Sequence, residues 1–142
     1  MFQGISAERK VKGYLRLQDV FEEFCKNARA ALPEGNALGS RLDEEAGITK
    51  GMNVLGHRCR LRFAIRESDS LYNGLAVFER ELAPDTWKEY WSLEFDSQKN
   101  ARPAGAPHFM WTTEPHSVAQ QHLPDMVSSF LDSICSAKPS AT

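Results

Sequence analysis

Arg58, Arg60, Arg62 and Arg66 stand at every second position, or a multiple of it, in "GHRCRLRFAIRE" (residues 56–67), with Cys59, Leu61, Phe63 and Ile65 between them. A guanidinium is a planar fork that binds two oxygens at once, so a row of them suits carboxylates or phosphates. Side chains along a strand alternate between its faces, so this spacing puts the arginines on one face and the apolar set on the other. Two readings follow. In one, Arg58, Arg60, Arg62 and Arg66, with Tyr90 and Tyr72 nearby for stacking, hold an acidic protein partner or a small anionic ligand. In the other, the row is the solvated side of a half-buried strand, balanced by Glu79, Glu81, Glu94 and Asp96 on neighbouring strands. Opposite charges on adjacent strands stabilise each other by about 0.2–1 kcal/mol per pair, enough to explain the row without a ligand.

Other chemistry has no visible anchor. His57, His108, His116 and His122 form neither H-E-x-x-H nor H-x-H, and are expected to titrate near neutral pH. His122 and Asp125 could share a helix face, but two ligands do not make a zinc site, so no metal is expected. No G-x-S-x-G motif occurs, and Ser128, Ser129 and Ser133 fall within a helical pattern. The glycines of residues 33–51 do not match the phosphate-binding loop, so no cofactor is expected, and no catalytic residue is assigned. Cys25, Cys59 and Cys135 all fall on apolar faces of their elements, without a C-x-x-C pair. They read as buried, inert thiols in a reducing compartment.

Composition narrows the partners. A net charge of -2 argues against a dedicated nucleic-acid binder, which usually carries a strongly basic domain. No apolar run approaches the roughly 20 residues that span a bilayer, so no membrane is expected. "MFQGISAERKVKG" lacks the apolar stretch of a secretory signal, and a cytoplasmic location is the expectation.

The elements that must position the arginines are legible in their periods. Leu17, Val20, Phe21, Phe24, Cys25, Ala28 and Leu32 form one helical stripe that ends before Pro33. Residues 33–51 read as a connection, with a turn or two of helix in "SRLDEEAG". Four strands follow: the arginine strand; "LYNGLAVFERE", apolar on both faces as a central strand would be; "WKEYWSLEFD", with Trp87, Trp91, Leu93 and Phe95 on one face and Lys88, Tyr90, Ser92, Glu94 and Asp96 on the other; and "HFMWTTE". "ESDS" and "APDT" are turns, and "SQKNARPAGAP" (97–107) is a polar loop. Leu123, Met126, Val127, Phe130, Leu131 and Ile134 repeat the helical stripe.

Short strands joined by short turns imply an antiparallel sheet. The expected fold is therefore α+β and two-layered: an antiparallel sheet of four or more strands, with the N- and C-terminal amphipathic helices packed on one face. Residues 1–137 form one domain and 138–142 a flexible tail. Trp87, Trp91, Trp111, Phe95 and Phe109 are expected to be core, or in part the edge of a homodimer. Such a chain reads as a non-enzymatic interaction or accessory protein. The alternative is a binding protein or enzyme for a small anionic molecule, with its pocket between sheet and helices.

Overall fold

The opening stripe does what its spacing requires. Leu17, Val20, Phe21, Phe24, Cys25, Ala28 and Leu32 are all buried along one side of α1 (Phe2–Ala31). The computed structural model describes residues 2–32, 40–42, 49–68 and 71–136. The helix begins well before the stripe. Residues 7–16 are helical yet exposed, held by Arg16 Nε donating to Ser97 O at 3.0 Å and by Tyr14 set edge-on to Phe63. No apolar repeat announced this first half, because only the second half is covered.

Among the described residues seven strands follow in chain order as one antiparallel meander: β1 (Ser40–Leu42), β2 (Thr49–Val54), β3 (His57–Ser68), β4 (Leu71–Ala83), β5 (Thr86–Phe95), β6 (Asn100–Pro103) and the two-residue β7 (Trp111–Thr112). The α+β class and the antiparallel sheet hold. The helical turn expected from Ser40 is corrected, since Ser40–Leu42 is strand paired with Met52–Val54; residues 43–48 lie outside the described set, as do 137–142. The polar loop at 97–107 likewise contains β6, paired with Leu93–Phe95. Both are short strands, of three and four residues, too brief to display an alternation. "HFMWTTE" contributes only Trp111–Thr112 as strand.

Turn chemistry fixes the register. Leu55 and Gly56 both have positive φ (52° and 85°), the requirement of a two-residue primed turn, and Asn53 Oδ1 accepts the Gly56 N–H. Leu61, Phe63, Ala76, Phe78, Leu93, Phe95 and Ala101 enter the core from the sheet. α1 meets it through Phe21 on Phe63. The C-terminal helix, α3 (Leu123–Ser136), meets it through Phe130, edge-on to His57, Phe78 and Tyr90. Between β7 and α3 run a short helix, α2 (Pro115–Ser117), and a π-helical turn over Val118–His122. Leu131 and Cys135, expected on the buried stripe of α3, are exposed: the stripe that is covered runs through Leu123, Met126, Val127 and Phe130.

β5 departs from its alternation. Phe78 pairs with Trp91 but Glu79 pairs with Glu89, so Tyr90 is an extra residue on its strand. Such a bulge reverses which face the residues before it point to. Trp87 is therefore separated from Trp91, Leu93 and Phe95. No helix among the described residues is long and apolar enough to cross a membrane.

Candidate functional site

The positions that alternate with the core set carry the arginines of β3. Their neighbours on β4 and β5 supply carboxylates in register: Arg60 lies opposite Glu79, and Leu75 opposite Glu94. Glu79 accepts from two arginines, Arg60 Nε at 2.7 Å and Arg62 through both Nε (3.1 Å) and Nη2 (3.4 Å). Glu94 also takes two, Arg102 through Nε (3.2 Å) and Nη2 (3.0 Å) and Arg66 through Nη1 (3.4 Å), and accepts a third donor, Asn73 Nδ2, at 2.7 Å. Arg58 pairs more loosely with Glu81 at 3.6 Å.

The two triads share a plan. In each, one arginine lies against an aromatic ring: Arg60 is 4.0 Å from the centroid of Trp87, and Arg102 is 4.3 Å from that of Phe109. Stacked guanidiniums gain from the negative face of the ring and shed water. These two side chains are 25% and 15% exposed; the unstacked Arg62 and Arg66 are 36% and 47% exposed, and Arg58 77%. Burial alone would raise the pKa of both glutamates. The hydrogen bonds and charges of Arg60 and Arg62 outweigh that at Glu79, as Arg102, Asn73 and Arg66 do at Glu94, so both titrate below the usual carboxylate range. Both are therefore ionised at neutral pH and act as anchors for the arginine forks.

Four of the five expected site residues lie together. Tyr90 does not: its ring sits 5.2 Å from Phe130 and 6.4 Å from Phe78, and its backbone carbonyl accepts from Ser129 Oγ at 2.8 Å. The bulge at Tyr90 is the physical reason, since it hands the aromatic place beside the arginines to Trp87. Arg102, Asn73 and Phe109 also join the site unannounced. Arg102 and Phe109 fall in or beside a stretch read as loop, and only the pairing of β6 with β5 sets Arg102 opposite Glu94.

The remaining candidates fall elsewhere. His108 and His116 are exposed, and His57 packs on Phe130. His122, expected to titrate near neutrality, is fully buried between Phe24 and Trp111, and desolvation lowers its pKa to about 4 against the opposing pull of its bond to Thr112 O. Desolvation likewise raises the Cys59 thiol to about 11, more than the charge of Arg80 and a backbone hydrogen bond lower it. Among the described residues no group of three or more His, Cys, Asp or Glu is arranged to hold a metal. No protein-family model, curated protein or solved structure matches the chain.

Proposed function

We propose that this protein is a non-enzymatic interaction or accessory protein that recognises an acidic partner through the arginine-bearing face of its sheet. The reading takes both helices as covering the core face, which leaves the arginine face to a partner. One observation carries it: Glu79 and Glu94, both buried, hold pairs of arginine forks in fixed positions while Arg58, Arg62 and Arg66 keep an exposed edge. Ordering a long side chain costs about 0.5–1.5 kcal/mol on binding, so forks already ordered by a carboxylate bind with less loss. The five arginines of the face (58, 60, 62, 66 and 102) outnumber its carboxylates, the paired Glu79, Glu81 and Glu94 together with Glu89 opposite Glu79, leaving positive charge for an acidic surface. The reduced, buried Cys25 and Cys59 support a cytoplasmic setting.

The test is affinity capture on the immobilised protein, with partners identified by mass spectrometry and rebound in purified form. The triple variant Arg58→Glu/Arg62→Glu/Arg66→Glu, shown folded by circular dichroism, should lose the partner, and the wild-type complex should weaken as salt rises. Equal binding by both proteins would refute the reading. Retention of a small anion alone would move the assignment to a ligand-binding protein.

A further inference from the structure

The most exposed arginines of the face recur with a fixed period. Arg58, Arg62 and Arg66 are four residues apart on β3; between them stand Arg60, stacked on Trp87, and the short Ala64. At about 3.3 Å per residue, four residues of strand span about 13 Å. All three arginines keep part of their side chains in solvent. On β2, Asn53, Gly51 and Thr49 lie opposite Arg58, Arg60 and Arg62, and on β4, Val77 and Leu75 lie opposite Arg62 and Ala64, so among the described residues no acidic residue faces Arg62 directly across either strand.

Resting on the reading above, we infer that the partner presents an extended acidic segment lying along β3, with carboxylates on every fourth residue. An extended chain has the same rise as β3, so its fourth-residue side chains share one face and match the row one to one. A helix matches poorly, because its same-face residues at i+3, i+4 and i+7 advance only about 5, 6 and 10 Å. Arg62 donates two hydrogen bonds to Glu79 and Arg66 one to Glu94; each fork has donors enough to accept an incoming carboxylate as well. Trp87, stacked on Arg60 between the first two exposed arginines, reports on occupancy.

The experiment uses the full chain and fluorescein-labelled peptides of roughly a dozen residues, a length that covers the row at strand rise. Each carries three glutamates in a Ser/Thr/Val background, spaced by two, three or four residues, with a stapled helical peptide bearing its glutamates on one face as a further arm. Polarisation should show spacing four binding about tenfold tighter than spacing three, the value of one extra charge-assisted contact. Arg62→Ser should abolish that preference while sparing the weaker, general attraction. If all acidic peptides bind alike and the triple variant loses them, the spacing is wrong and the arginine face stands. If the helical peptide binds tightest, the extended segment is wrong. If no peptide binds although capture of a native partner still depends on the arginines, this inference falls alone; if that capture is independent of the arginines, both fall.

Discussion

Acid should weaken this protein before its carboxylates are touched, and His122 is the reason. The imidazole is fully buried, its Nε2 lies 2.8 Å from Thr112 O, and Nδ1 has no hydrogen-bond partner among the described residues. Its pKa falls from an ordinary 6.5 to about 4 in the folded chain. A group with a depressed folded pKa that is neutral when deprotonated takes up its proton more readily when unfolded. Its contribution is therefore complete above about pH 6.5, is lost as pH falls from there towards 4, and changes no further below. Over the whole window, two and a half pKa units correspond to about 3 kcal/mol, and by pH 5 about 2 kcal/mol should already be gone. That is a large part of the stability of a domain this size. The assay is urea unfolding from pH 7.5 to 5, comparing the wild type with His122→Gln, whose amide does not titrate. Wild-type stability should drop relative to the variant by about 2 kcal/mol across that range. A constant difference between the two proteins would show that the ring is not held neutral and buried.

Three further outcomes follow. Glu94→Ala, which leaves Arg102 and Asn73 without the anion they share, should cost about 3 kcal/mol in urea unfolding, whereas Glu81→Ala, whose partner Arg58 is largely in water, should cost less than about 1 kcal/mol. Gly74→Ala should destabilise by about 1–3 kcal/mol, because a Cβ there would overlap ring atoms of the buried Phe95; its thermal midpoint measures this. In native protein Cys135 should react with a thiol reagent at once, and Cys25 and Cys59 only on unfolding; native-state modification of Cys59 would contradict both its burial and its raised pKa.

Local periodicity determined a great deal by itself. The core stripe of α1, the two-faced burial of β4 and the separation of Arg60 and Arg62 from Leu61 and Phe63 all follow from side chains that repeat at 3.6 or 2 residues. Those repeats are properties of the backbone, and one sequence displays them. The sequence also offered Glu79 and Glu94 as partners for the arginines, because alternation assigns faces even where register is unknown. It could not say which arginine meets which glutamate. That required the register between neighbouring strands, which brought Arg102 to Glu94 and let Asn73 donate to the same carboxylate. A single bulged residue, Tyr90, then reversed the face of Trp87 and replaced the expected tyrosine with a tryptophan beside Arg60. Burial of His122 was equally out of reach, since a π-helical turn, rather than any local pattern, carries its ring between Phe24 and Trp111. Periods fix what faces which way; only the packed sheet decides what lies within 3 Å of what, and the charge state of each group depends on that distance.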